Sequence, residues 1–233
     1  MKIVLTNDYG IDTPGLDALF QIFRTVSTPI IVAPEHPQSG ISHRVTTRAP
    51  ISVKQLGQNR FSVGGTPADC ARIALKDIVT DACWLISGIN PGANLGSDVY
   101  QSGTVAAARE AAILGCAAMS VSQYIAKDCQ VDWAVTRKHA QPVLHMLLEK
   151  DTAPGCFWNV NLPHPLTADD GVDFEFCRLD TNPHKYRYRS EGNNYIYEGT
   201  IHERPRDPAK DVAVCFGGKI SISKLAIQAA VKI

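Results

Sequence analysis

Net charge is the first thing this sequence does without: its 23 Lys and Arg are matched by 23 Asp and Glu. With no overall field there is nothing to hold the chain on a nucleic-acid polymer or an anionic membrane, and a small-molecule substrate suits the balance better. Long hydrophobic runs are missing too. The apolar stretch at residues 3–5 is too short for a secretory signal, and no segment reaches bilayer length, so a soluble, cytoplasmic protein is expected. The seven cysteines, Cys70, Cys83, Cys116, Cys129, Cys156, Cys177 and Cys215, form an odd set without a CxxC pair. That suits neither a zinc ribbon nor a disulfide framework, and reduced, mostly buried thiols are expected. The histidines contain no HExxH, and the glycines no GxGxxG or GxxxxGK[ST], so the dinucleotide and P-loop readings fall away. A sugar or nucleotide transferase would need a donor-binding motif, and none is present. No internal repeat or low-complexity segment stands out.

What is present is the pattern of one main α/β core, for which 233 residues are ample. Residues 2–6 form a β-branched run, and Thr13-Pro14 opens a segment with Leu16, Leu19, Phe20 and Phe23 at helical spacing. Thr13 is placed to cap that helix and Pro14 suits its first turn. A second apolar run at 29–33 completes a strand–helix–strand unit and predicts a parallel sheet. A polar loop at 35–48, short strands at 51–53 and 61–63, and a helix over 67–78 follow. Then come a strand at 84–87, a long Gly/Asn/Ser-rich loop at 88–102, an alanine-rich helix at 103–114 and a strand at 117–122. A helix at 135–149, disturbed at Pro142, precedes a strand at 157–162 that is expected to complete the sheet. Beyond Pro163 the segments alternate and carry aromatics and charges, as at Tyr186-Arg187-Tyr188 and 219–224, which predicts an antiparallel β extension. The expected division is therefore 1–163 and 164–233.

In open parallel sheets ligands collect at the carboxyl ends of the strands. Asn7-Asp8-Tyr9-Gly10 follows the first strand, Gln38-Ser39-Gly40 the second, and Ser87-Gly88-Ile89-Asn90 the strand at Trp84. One cavity can thus gather Asp8, Ser39 and Asn90, whose carboxylate, hydroxyl and amide oxygens suit Mg²⁺, Mn²⁺ or Ca²⁺ rather than zinc. Taken singly, each also has an ordinary part as an Asx turn, a loop hydroxyl or a turn amide. Ser102-Gly103-Thr104 opens the alanine-rich helix, where free N–H groups and the helix dipole can receive a phosphate without a basic residue. A plain N-cap at Ser102 fits the same spacing equally well. Asp69 reads as a helix cap. Asn159 and Asn161 place alternate amides at the last strand's end, either to orient the site or to tie down a loop. His43 lies in a site loop and is a lesser candidate for general acid. His139, His145, His164, His184 and His202 read as surface or packing residues.

Six strings occur in unbroken order: TNDYGIDTPG at 6–15, VAPEHPQSG at 32–40, GTPADC at 65–70, SGINPGANLGSD at 87–98, SGTVAAA at 102–108 and NVNLP at 159–163. Together they resemble the stationary-phase survival protein SurE family. The likeness continues more loosely afterwards, where Asp211-Val212-Ala213 and Ile220-Ser221-Ile222-Ser223 look like the family's later strands. The resemblance implies a Rossmann-like three-layer α/β/α fold with a mostly parallel sheet, and a C-terminal antiparallel β extension that takes part in dimerisation and sometimes in a tetramer. It implies divalent-metal nucleotidase activity on nucleoside 5′- and 3′-monophosphates, with wider phosphatase or polyphosphatase activity in some members. Carried over by position, one Mg²⁺ or Mn²⁺ per chain, or Ca²⁺ in a crystal, would be held by Asp8, Tyr9, Ser39 and Asn90. Asp8 and Asn90 would be catalytic, and the phosphate would lie near Asn90, Ser102, Gly103 and Thr104. One departure stands out, because the family has a second aspartate after Asp8 and this sequence has Tyr9. A phenol with an ordinary pKa of about 10 is a poorer ligand than a carboxylate. Weakened turnover, or a nucleotide-binding or scaffolding protein without it, is the alternative this raises. Asp12 is the nearby carboxylate that could assist through water. Arg44 and Lys219 are milder departures.

Overall fold

In the computed structural model, which describes residues 1–164, 171 and 173–227, the opening strand–helix–strand unit is β1 (Ile3–Thr6), α1 (Pro14–Phe23) and β2 (Ile30–Pro34). Leu16, Leu19, Ile22 and Phe23 bury one face of α1, the spacing that gives a helix a single apolar stripe. Thr13 is the N-cap by backbone position, but its side chain does not cap. Its hydroxyl instead donates to the Gly10 carbonyl and accepts from Asn7 Nδ2.

The chain continues through β3 (Val53–Gly57) and β4 (Arg60–Val63), α2 (Pro67–Ile73), β5 (Trp84–Pro91), a 3-10 turn at Gly96–Tyr100, α3 (Gly103–Ile113) and β6 (Ala117–Gln123). After α4 (Trp133–Leu148), β7 (Cys156–Leu162) and β8 (Phe174–Phe176) comes a hairpin, β9 (Tyr188–Glu191) and β10 (Asn194–Tyr197). The last elements are α5 (Asp211–Phe216) and β11 (Ile220–Ala226). The main sheet runs β3-β4-β2-β1-β5-β6-β7-β11-β8, parallel from β4 to β7. Alternation along its strands feeds two cores, one on each face. Ile3 and Leu5 join α1 and α4 residues, while Val4 joins α2 and α3 residues. The result is a three-layer α/β/α arrangement. Small side chains at Ala107, Ala108 and Ala111 let α3 lie close to the sheet and α2.

Several boundaries differ from the sequence expectation. β5 extends to Pro91, so Ile89 and Asn90 belong to a strand rather than to a loop, and the polar run after it is shortened by the 3-10 turn. The strand expected at 51–53 begins only at Val53. The sheet does not stop at β7, because β11 pairs antiparallel with it from Ser221 to Ala226 and β8 lies parallel beyond. Asp211-Val212-Ala213 is helical rather than extended. Val212 and Cys215, three residues apart, are buried, and the Asp211 carboxylate accepts from the backbone N–H groups of Gly96, Asp180 and Val212. The β9–β10 hairpin projects Tyr188, Tyr195 and Tyr197 into solvent. Within 164–233, residues 165–170, 172 and 228–233 lie outside the described residues.

Candidate active site

The site begins where β1 ends. Asn7 closes a local turn, its Oδ1 accepting from Gly10 N and its Nδ2 donating to Gly10 O and Thr13 Oγ1. That Asx turn is the structural half of the Asn7-Asp8 pair, and it leaves Asp8 facing inward. Gln38 N donates to the Asp8 carbonyl at 2.7 Å, which ties the loop after β2, with Ser39, to the end of β1. On the other side the start of α3 sits directly on Asp8. Thr104 Oγ1 donates to Asp8 Oδ1 at 2.6 Å. Gly103 permits this approach, since a Cβ there would stand 2.9 Å from Asp8 Cβ.

A pocket of about 230 Å³ is lined by Asp8, Tyr9, Ser39, Asn90 and Ser102 together with Gly40, Asn94, Asp98 and Gln101. The structure thus brings five of the sequence-selected residues to one wall. Gly103 and Thr104 lie behind Asp8 rather than on that wall. Ser102 Oγ accepts from Val105 N at 3.1 Å, so the N-cap is real. A hydroxyl that accepts there still has its own proton to donate.

Burial pushes the Asp8 carboxyl above its ordinary pKa, and hydrogen bonds from Thr104 oppose the rise. No cation neutralises Asp8 among the described residues. Asn90 donates through Nδ2 to the Gly92 carbonyl at 2.6 Å, while its buried Oδ1 has no hydrogen-bond partner. A buried carboxylate without a counter-ion and an orphaned amide oxygen in one cavity both call for positive charge. With the Ser39 hydroxyl they make an all-oxygen donor set that fits one hard divalent cation. The described residues hold no cluster of three or more His, Cys, Asp and Glu, and the second carboxylate of the wall, Asp98, is engaged by His184 and Arg204, so such an ion would rest on Asp8 and neutral oxygens. Tyr9 is half-buried on the same wall. Asp12 is not an inward substitute. It is exposed and paired with Arg60 at 2.7 Å.

Of the other wall residues, Asp98 and Gln101 had no prior role in the sequence reading. Asn94 is held by both strand-end amides: its N–H donates to Asn161 Oδ1, and its carbonyl accepts from Asn159 and Asn161 Nδ2. Those amides therefore tie down a wall loop. Asp98 is clamped by His184 Nε2 at 2.5 Å and Arg204 Nη1 at 2.8 Å, both from beyond β8. Gln101 follows in the same turn. Partners 86 and 106 residues away leave no trace in local spacing. The run SGINPGANLGSD was the available signal, being polar enough to need such partners.

His43 is directed away from the pocket wall. It meets Glu110 Oε2 at 2.7 Å, and Arg72 Nε donates to Glu110 Oε1 at 2.6 Å. Burial alone would raise the Glu110 carboxyl, but these two partners outweigh it and hold the pKa below its ordinary value. A depressed carboxylate contributes stability that is present above the unfolded pKa, about 4.3, and lost as pH falls through the lower folded value. Glu110→Gln should therefore cost about 2 kcal/mol at neutral pH and progressively less below pH ~4. Thermal unfolding across that range checks it; an unchanged acid limb would contradict the assignment.

The chain matches the family model described as Survival protein SurE over residues 3–186. A putative 5′-nucleotidase of Synechocystis sp. is 43% identical over 227 residues, covering 97% of this chain and 100% of that protein. The 5′-nucleotidase SurE of Paramagnetospirillum magneticum is 34% identical over 232 residues, covering 97% and 89%. The crystal structure of the SurE protein from Aquifex aeolicus shares the fold, with a TM-score of 0.88 at 24% identity, over 99% of this chain and 95% of that one. The matched segment contains every wall residue of the Asp8 pocket, and the chain belongs to the SurE family.

Proposed function

We propose that this protein is a divalent-metal-dependent phosphomonoesterase that releases phosphate from nucleoside 5′- and 3′-monophosphates. The observation that carries the reading is the buried Asp8 carboxylate, without a counter-ion, in one small pocket with the partnerless Asn90 Oδ1. The names of the nucleotidase relatives support the substrate class.

Asp8, Asn90 and Ser39 would hold the cation, with Tyr9 beside them. Bound there, a divalent ion would polarise the phosphoryl group and lower the pKa of a water. The rest falls to the chain. Thr104 fixes the Asp8 rotamer, so the carboxylate is oriented before any ligand arrives. The dipole of α3 ends at Ser102 to Thr104, where charge developing on a phosphoryl oxygen is favoured. The pocket volume suits a phosphate group and its first linking atoms, leaving the nucleoside toward the mouth.

Tyr9 on the wall favours a second reading, a nucleotide-binding or scaffolding protein with little turnover. Phosphate release from several nucleoside monophosphates with Mg²⁺ and Mn²⁺ separates the two. The native chain is expected to turn over, and Tyr9→Asp to raise kcat/KM about tenfold through a second negative ligand, equivalent to about 1.4 kcal/mol. Release appearing only in Tyr9→Asp would establish the second reading instead.

The exposed Tyr188, Tyr195 and Tyr197 on the β9–β10 hairpin support a homodimer, with a tetramer as the larger option, which sedimentation would resolve. No helix among the described residues is long and apolar enough to cross a membrane. Seven free cysteines support a reducing, cytoplasmic setting.

A further inference from the structure

The loop that brings Ser39 and Gly40 to the pocket contains no helix or strand between β2 and β3. Its path is set instead by contacts with other parts of the site. Ile41 lies against the first residue of α3, since a Cβ built on Gly103 would stand 3.2 Å from Ile41 Cγ2. Ser42 has a left-handed backbone, with φ of 57°, which a residue with a side chain seldom adopts without outside bonds to hold it. Those bonds run to the segment just before Ser102. Ser42 N donates to the Gln101 carbonyl at 3.1 Å, and Ser42 Oγ donates to the Tyr100 carbonyl at 2.6 Å.

His43, the next residue, fixes the same loop to α3. Its Nε2 meets the buried Glu110 carboxylate at 2.7 Å and its Nδ1 meets Arg109 Nη1 at 3.3 Å. A guanidinium has no acceptor, so Nδ1 accepts and the hydrogen sits on Nε2, where Glu110 takes it. This arrangement suits one neutral tautomer of His43, because a second proton would set an Nδ1–H against the Arg109 cation. Arg72 Nε donates to the other oxygen of Glu110, which holds the carboxylate from both sides. Arg109 has a second partner. Its Nη2 donates to the Val99 carbonyl at 2.8 Å, in the turn that presents Asp98 and Gln101 to the pocket. One guanidinium therefore joins the Ser39 loop, through His43, to the turn that forms another part of the wall.

We infer that His43 is a positioning residue for the Asp8 pocket: held as a neutral imidazole between Glu110 and Arg109, it keeps the Ser39 loop in register with the turn of Asp98 and Gln101. Its consequence for catalysis rests on the function proposed above, in which Ser39 would be a ligand of the cation. His43 is not itself on the pocket wall and acts through the loop backbone. The common reference is α3. Its first turn sits on Asp8 through Thr104, Ser102 caps it, and Arg109 and Glu110 further along it hold the loop. Asp8, Ser39 and Ser102 are thus all placed relative to one helix, so the spacing of the pocket's oxygens survives movement of the exposed loop around them.

The test uses the full chain. In metal-free protein, hydrogen exchange of the Ser42 amide should quicken about tenfold in His43→Ala. It should stay near native in His43→Gln, whose amide offers one donor and one acceptor as the neutral imidazole does. Titration with Mn²⁺ alone, with the free ion counted by electron paramagnetic resonance, should show about tenfold weaker affinity in His43→Ala and near-native affinity in His43→Gln. Phosphate release by His43→Ala should accordingly drop at limiting Mn²⁺ and recover in excess. A merely structural histidine would lower the unfolding midpoint and leave the Mn²⁺ affinity of the folded protein unchanged, and that result overturns the proposal, as does native Ser42 exchange in His43→Ala. If His43→Ala does not fold, nitrogen-15 NMR of the native chain at about pH 8, above the ordinary histidine range, decides the matter. The Nε2–H tautomer is expected there, and a proton on Nδ1 overturns the assignment. A native chain that neither binds Mn²⁺ nor releases phosphate overturns the function proposed above, whereas faster Ser42 exchange in His43→Ala would still stand, so the two readings can fail separately.

Discussion

Asp8→Asn should abolish metal-dependent phosphate release, by about 10³-fold or more in kcat/KM, and make the metal-free protein more stable. The two effects have one cause. Asparagine is nearly isosteric and its Oδ1 can still accept from Thr104, so the pocket keeps its shape. What disappears is the one carboxylate of the wall not already held in an ion pair, and a loss of about 4 kcal/mol of transition-state stabilisation corresponds to that factor. The stability gain follows from burial. Asp8 is 4% exposed with no counter-ion, and its pKa is raised. A carboxyl with a folded pKa above its unfolded value binds its proton more tightly in the folded state. It therefore costs stability at neutral pH, and the cost fades as pH falls below the ordinary carboxylate range. Asp8→Asn should show its advantage in thermal unfolding at neutral pH with chelator, and lose it in acid. Added Mg²⁺ or Mn²⁺ should reverse the order, because only the native protein gains binding energy. Equal turnover in variant and native chain would remove Asp8 from the mechanism.

The gathering of Asp8, Ser39 and Asn90 in one pocket was legible in the sequence, and so was much of the frame around it. Asp8, Ser39 and Asn90 could be placed together because strand ends of a parallel sheet meet on one edge, and that rule needs only the order of the strands. Ser102 was readable as a cap because capping is local. The rest failed for a physical reason in each case. Thr13 has the right type and position to cap α1, but the Asn7 turn competes for its hydroxyl and wins. Residues 88–91 read as loop because Gly and Pro are poor strand formers, yet β6 alongside supplies pairing partners that override propensity. Asp211 reads as extended from the family likeness alone; a six-residue helix is too short to show a period against it, and its buried carboxylate has partners as remote as Gly96. Asp98 was passed over because what defines it, the clamp from His184 and Arg204, is assembled from the far end of the chain. Short-range chemistry reaches the sequence reader directly, whereas charge pairing across the fold does not.

The same coupling of frame and site sets the largest expected effect on stability, at Gly15. Alanine is normally the better helix former by up to about 1 kcal/mol, so Gly15→Ala in the first turn of α1 would stabilise an isolated helix. Here the packing reverses the sign. A Cβ at Gly15 would stand 2.1 Å from the Ile89 carbonyl oxygen and 3.0 Å from the Trp133 ring. Neither can yield freely, since Ile89 is part of the central strand β5 and Trp133 opens α4. The overlap should force α1 off the sheet and cost about 3 kcal/mol, which lowers the unfolding midpoint by roughly 10 °C for a chain of this size. Function should fall as well, because Ile89 precedes Asn90. A displacement of about 1 Å at the backbone carrying a ligand oxygen can cost about 10²-fold in kcat/KM. Gly57→Ala is the control: its Cβ would meet only Arg60 Cβ at 3.9 Å, an ordinary contact, and it should change stability by less than about 1 kcal/mol. If Gly15→Ala unfolds with the native midpoint, the close approach of α1 to β5 is not what positions Asn90. If it is destabilised yet fully active under conditions where it remains folded, Asn90 is held by its own bond to Gly92 rather than by the helix behind it.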